Sequence, residues 1–180
     1  MMDAEGKGEK LEPWDWWYYA EKIRNEKYSM DEEALRPYFK MENVRQGVFD
    51  LATRLYGFQF KKLEGMPVYH ADVEVFEVAD ADGSLIGVLY TDYYPGPGKR
   101  SWEWLKSITE QYKKDGVNHR PIIINVGNFT KPTADKPSLL TMDEVETLCH
   151  EFGHAWHGLL SQTTYISTSG TKVPRDFVEL

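Results

Sequence analysis

The sequence predicts an α+β fold, mainly helical, with helices around a small β-sheet. Three observations point there. Apolar residues in the first third recur at helical spacing, β-branched runs in the middle flank an Asp-Gly turn, and the last third opens on a clearly written helix start. The size fits: 180 residues, 41% hydrophobic and 14% aromatic, suffice for one domain, or one and a half, with a real core. Lys and Arg number 21 against 29 Asp and Glu, a net charge of -8, with no basic run. That balance argues against nucleic acid or an anionic membrane as partner. No apolar run approaches the length that spans a bilayer. The single cysteine, Cys149, cannot form an internal disulfide or a cysteine-rich zinc knuckle. Residues 1–12 are expected to be a flexible segment, since Met1 to Lys7 lack the hydrophobic core of a signal peptide.

The first third reads as three helical segments. Asp15 is a plausible N-cap for a helix over Trp16 to Tyr28. Ser29 with Glu32 fits a capping box for a short helix, which Pro37 interrupts. Val44, Val48, Leu51 and Leu55 then share one helical face, and Gly57 suits the position just past the end.

The middle changes period. Val73, Val75 and Val78, then Leu85 to Tyr90, flank Asp80-Ala81-Asp82-Gly83-Ser84, a hairpin signal. Tyr94-Pro95-Gly96-Pro97-Gly98 is a loop. A helix is expected around Trp104 to Lys114, followed by a short buried strand at Ile122 to Val126.

In the last third, Thr141 and Glu144 form a second capping box, and Leu140 can pack on Val145 as a hydrophobic staple. The helix should run from Met142 to about Leu160. Ser161 to Thr171 reads as a polar loop, and Pro174 suits the first turn of another helix.

The chemistry-bearing motif lies in that long helix. His150-Glu151-Phe152-Gly153-His154 matches HExxH, with both imidazoles four residues apart and so about 6 Å apart on one face. Two such rings can converge on one Zn²⁺, while Glu151, about 100° round, sits beside the ion and can take a proton from its water. An amphipathic helix with incidental histidines is the bland alternative. His157 lies about 10 Å along the axis from His150, too far for three side chains of one helix to close on one ion. The metzincin pattern fails, because it needs glycine at the position of His157 and histidine at that of Leu160.

A third ligand must come from beyond the helix, where the acidic residues are Asp176 and Glu179. Glu179 follows His154 by 25 residues (179 − 154), room for a loop and a returning helix, and is assigned as ligand. Asp176 fits either an acceptor for a ligand imidazole or a helix-start charge favoured by the dipole. Glu146 fits equally an acceptor for an imidazole or a solvated carboxylate. Cys149 should point away from the metal face as a buried small hydrophobe. His70 and His119 are expected to be non-catalytic. No GxSxG elbow occurs, and Gly96-Pro97-Gly98-Lys99-Arg100 is not a P-loop.

His150 through Ser161 resembles the active-site helix of the thimet oligopeptidase family of zinc metallopeptidases, and Ser169 through Glu179 resembles its second signature, whose glutamate is the third zinc ligand. Pro13 through Lys22 and Phe129 through Pro132 also match, so the likeness covers nearly the whole chain. The Trp14-Asp15-Trp16-Trp17-Tyr18-Tyr19 run looks most like the peptidyl-dipeptidase (dipeptidyl carboxypeptidase) branch. The resemblance implies a zincin-like catalytic domain, residues 13–180 being part of one truncated at its C-terminus, with further N- and C-terminal regions in the parent enzyme. It implies one Zn²⁺ held by His150, His154 and Glu179, Glu151 as catalytic base, and oligopeptide substrates cut by hydrolysis, with dipeptides released from C-termini. The alternatives are an oligopeptidase-type endopeptidase, or a zinc-binding fragment inactive in isolation, with Trp16, Trp17 and Trp156 bared where other domains pack. Cytoplasmic localisation is the default expectation. One departure is Lys99-Arg100-Ser101-Trp102, where relatives carry glycine and alanine after the Lys-Arg pair, which sets the local loop apart.

Overall fold

A computed structural model describes residues 12–28, 32–100 and 103–179. The Ser29 capping box, the Ser101-Trp102 departure and nearly all of segment 1–12 lie outside those residues. A 3₁₀ turn, Pro13–Asp15, leads into α1 (Trp16–Tyr28), followed by the single turn α2 (Glu32–Leu35) and by α3 (Met41–Tyr56). Strands β1 (Gln59–Lys62), β2 (Glu74–Ala79) and β3 (Leu85–Asp92) come next, then β4 (Trp104–Thr109), β5 (Tyr112–Lys114), β6 (Val117–His119) and β7 (Ile122–Val126). The long helix α4 (Met142–Leu159) and the short α5 (Arg175–Val178) complete the order.

The main sheet has five strands in the order β1-β2-β3-β7-β4. Only β3 and β7 run parallel; the other pairs are antiparallel. The expected hairpin forms between β2 and β3, with Gly83 at φ 83° in its turn, a left-handed value that glycine adopts without a Cβ clash. One sheet face packs on α3 and α4. Phe49, Ala52, Phe76, Val78, Leu89, Ile123, Phe152, Ala155 and Leu159 make that core, each at most 6% exposed. Phe49 is its aromatic hub, stacked on Phe60 at 4.0 Å and edge-on to Phe76 and Phe152.

Several expectations need correction. The segment Trp104 to Lys114 is not helical. Leu105 pairs with Asn125 and Ser107 with Ile123, so this stretch fills the open edge of β7 as β4 and then turns into the β5–β6 hairpin. Its apolar residues suit either period, and pairing to a buried neighbour outweighs local preference. Asp15 does not cap α1 directly. Its carboxylate accepts the Glu12 N–H at 3.1 Å and closes the 3₁₀ turn ahead of the helix. On α3 the buried face is Met41, Val48, Phe49 and Ala52, whereas Leu51 and Leu55 are exposed, so the apolar stripe read from spacing straddles the boundary of the core. Cys149 is exposed, not buried. Trp156 is half-buried against Tyr56 and Phe152; Trp16 and Trp17 are exposed.

Candidate metal centre

The start of α4 follows its sequence signal. Glu144 accepts the Thr141 N–H at 2.7 Å, and Thr141 Oγ1 accepts the Glu144 N–H at 3.2 Å. Leu140 is wholly buried and Val145 packs on the same core. Chain pairing before the two long helices aligns them: Met41 N–H donates to Ser138 O and Leu140 N–H to Phe39 O. The other end of α4 is clamped by Arg120, whose guanidinium donates to the carbonyls of Leu159, Ser161 and Ile86. It thereby satisfies otherwise orphaned helix-end carbonyls and ties them to β3. Gly158 rests so close to the sheet that a Cβ there would come within 2.4 Å of Ile123.

With Leu148, Phe152, Ala155 and Leu159 turned to the core, His150 and His154 point away from it. The chain returns through Ser161–Pro174, which includes a 3₁₀ turn at Ile166–Thr168. Pro174 stands just before α5, one position earlier than expected, and Glu179 follows directly on the helix end. The two imidazole Nε2 atoms lie 3.0 Å apart, and Glu179 Oε2 lies 3.2 Å from His150 Nε2 and 3.4 Å from His154 Nε2. The edge of a tetrahedron with metal–ligand bonds of about 2.0–2.1 Å is about 3.3 Å, so the triangle has the size a zinc-like cation requires. Two ring nitrogens and a carboxylate oxygen crowded at this spacing need a proton or a cation between them. Among the described residues this is the one group of three such side chains close enough to hold a metal ion.

Glu151 is half-buried and lines a cleft of about 270 Å³ with Glu103, Trp104, Leu105, His154, Thr171, Val178 and Glu179. Burial pushes its carboxyl above the usual carboxylate range, Glu179 and Glu103 add to the rise, and His150 opposes it. Burial also holds the His154 imidazolium below its ordinary value, with the His150 charge adding and Glu179 offsetting. A neutral ring keeps its lone pair for a cation, and a carboxyl of raised pKa is a stronger base once ionised.

Other candidates fall outside the cluster. His157 meets Phe177 edge-on at 6.5 Å. Asp176 is exposed in the first turn of α5, and Glu146 is exposed beside Cys149, whose thiol is pushed up by partial desolvation on its inner side and by the Glu146 charge. Among the described residues neither carboxylate hydrogen-bonds a cluster imidazole. His70 Nδ1 accepts the Asp72 N–H, and His119 stacks on Tyr112 at 4.3 Å. The sequence offers no signal for the cleft wall formed by Glu103, Trp104 and Leu105, because a helix expected around Trp104 to Lys114 leaves no strand there to build it.

The whole chain, residues 1–180, matches the pattern of peptidase family M3. The chain belongs to this family. As an M3 chain it is 43% identical over 180 residues to the dipeptidyl carboxypeptidase of Salmonella typhimurium, an alignment covering 99% of this chain and 26% of that protein. It is 40% identical over 174 residues to oligopeptidase A of Escherichia coli, covering 96% and 26% respectively. A thimet-like oligopeptidase of Dictyostelium discoideum is 35% identical over 165 residues, covering 90% and 24%. The chain therefore spans about a quarter of the length of the curated relatives it matches. Among the described residues no helix is long and apolar enough to cross a membrane.

Proposed function

We propose that residues 13–180 are part of the catalytic domain of a zinc-dependent peptidase that hydrolyses oligopeptides. His150, His154 and Glu179 hold the ion, and Glu151 is the catalytic base. The supporting observation is the triangle of ligand atoms at 3.0, 3.2 and 3.4 Å with a half-buried carboxyl beside it. When bound, zinc supplies Lewis acidity toward a scissile carbonyl and an attacking water. Glu151 accepts the water proton as attack proceeds and returns it to the leaving amine nitrogen, so one residue serves as base and then as acid. His154, kept neutral by burial, donates its lone pair, and Glu179 offsets one unit of the ion's charge. The cleft walled by β4 receives the peptide chain.

Removal of C-terminal dipeptides is the activity we favour, on the 43% identity to a protein named dipeptidyl carboxypeptidase. Oligopeptidase-type endopeptidase action is the alternative, since oligopeptidase A stands at 40%. A quenched oligopeptide incubated with the zinc-loaded chain, with and without chelator, tests hydrolysis. Chelator-sensitive cleavage abolished by Glu151→Gln supports the reading; mass analysis of the products then separates dipeptide release from internal cuts. Zinc binding without cleavage supports the second reading, a metal-holding piece without turnover. Two features favour that outcome: α5 is a single turn and Glu179 is 44% exposed.

A further inference from the structure

The four-residue helix α5 buries none of its residues, and its Phe177, edge-on to His157 at 6.5 Å, stays 60% exposed, so its own packing holds Glu179 only weakly. The position has to be imposed by the segment before it. That segment is pinned from an unexpected direction, the connection between β4 and β5. Gln111 lies there, fully buried, with both carboxamide donors and the carboxamide oxygen hydrogen-bonded. Nε2 donates to Asn118 Oδ1 at 2.7 Å and to Thr163 O at 3.0 Å. Oε1 accepts from Thr163 N–H at 2.8 Å, while the Thr163 hydroxyl donates to Tyr165 O at 3.1 Å. The side chain thus pairs with both backbone groups of one residue, as a neighbouring strand would, and Lys113 N–H extends the pairing to Thr164 O at 3.2 Å. Buried amides left unpaired are costly, so the contact strongly prefers one geometry.

Further along, the same segment is closed by buried contacts. Ser161 Oγ accepts the Gly170 N–H at 3.1 Å and lies 3.1 Å from Ser169 Oγ. Lys172 then reaches back to Glu110, the neighbour of Gln111, at 3.4 Å. Residues 110–113 therefore hold both ends of the loop that delivers Glu179. The histidines need no such support, because the opposite face of their helix is core. We infer that Gln111 is a positioning residue for Glu179, setting through Thr163 where the carboxylate meets the two imidazoles. The inference rests on the metal-site reading above.

The test is a thermodynamic cycle on zinc affinity, measured by competition with a chromophoric chelator on the 180-residue chain. Gln111→Met should weaken zinc about tenfold, as loss of a ligand-orienting contact does. Glu179→Ala should weaken it more. In the Glu179→Ala background, Gln111→Met should change affinity less than twofold, since nothing remains for it to position. Cobalt loaded into Gln111→Met should also lose part of its tetrahedral visible absorption. Equal losses in both backgrounds would assign Gln111 a general structural role and overturn the inference, as would unchanged affinity in Gln111→Met alone. If that variant loses its far-UV helical signal, Gln111→Glu, which keeps the acceptor for Thr163 and loses both donations, goes through the same cycle with the same criteria. Zinc affinity unchanged by Glu179→Ala alone overturns the ligand set itself, and the Gln111 role with it.

Discussion

At the scale of single residues, Glu151 and the two histidines proposed as ligands separate cleanly by what their loss should do. Glu151 touches the cleft but not the ligand triangle. Glu151→Gln is expected to cut peptide hydrolysis by about a thousandfold or more, while chelator competition shows zinc affinity within about threefold of the parent. His154→Ala should instead lower zinc affinity by orders of magnitude. Acid has a related effect. A protonated ring cannot hold the ion, so apparent affinity should fall by at least about tenfold per pH unit once acid protonates His154 in the free chain. Metal-free stability carries two opposite linkages. The folded state holds His154 below its usual 6.5, so that contribution is present above 6.5 and is lost as pH falls through the depressed value. Glu151 is raised above its usual 4.5, so its contribution is present below 4.5 and is lost as pH rises through the elevated value. Glu151→Gln removes the opposing carboxyl component, and urea midpoints of the metal-free variant should fall more steeply than those of the parent as pH drops through that histidine window.

At the scale of elements, α4 owes its direction to contacts at both of its ends. Thr141→Ala removes the side-chain acceptor of the capping box and should cost about 1 kcal/mol in urea unfolding. Gly170 has φ 56°, and a Cβ there would come within 3.1 Å of the Gly158 backbone. Gly170→Ala should therefore cost about 1–3 kcal/mol and weaken zinc as well, because the loop that carries Glu179 can no longer lie against α4. The capping box and the limits of α4 were readable in advance, since each involves residues within a few positions of one another. The strand β4 was not readable. Trp104, Leu105 and Ile108 satisfy either period, and the edge of β7 that recruits them is formed by distant residues. The β5–β6 hairpin did carry a local signal, Asp115-Gly116 in left-handed conformation between two short runs, and a helix drawn through Lys114 hid it.

At the scale of the whole molecule, core and surface differ sharply in what they tolerate. Phe152 is fully buried beside Phe49 and Trp156. Phe152→Ala should cost about 3–5 kcal/mol by denaturant titration. Leu55 is 59% exposed on α3, and Leu55→Lys should stay within about 0.5 kcal/mol of the parent in the same measurement. The chain's amino-acid order was sufficient for the helix that bears His150, Glu151 and His154, for its start, and for family membership, because those depend on spacing and short-range hydrogen bonds. Which face of α3 turns inward, that β4 walls the cleft, and that a carboxylate just past a one-turn helix stands about 3 Å from two imidazoles depend on segments far apart in the chain. Such contacts exist only after the sheet has assembled and the loop beyond α4 has docked on the β4–β5 connection, so no local pattern could have carried them.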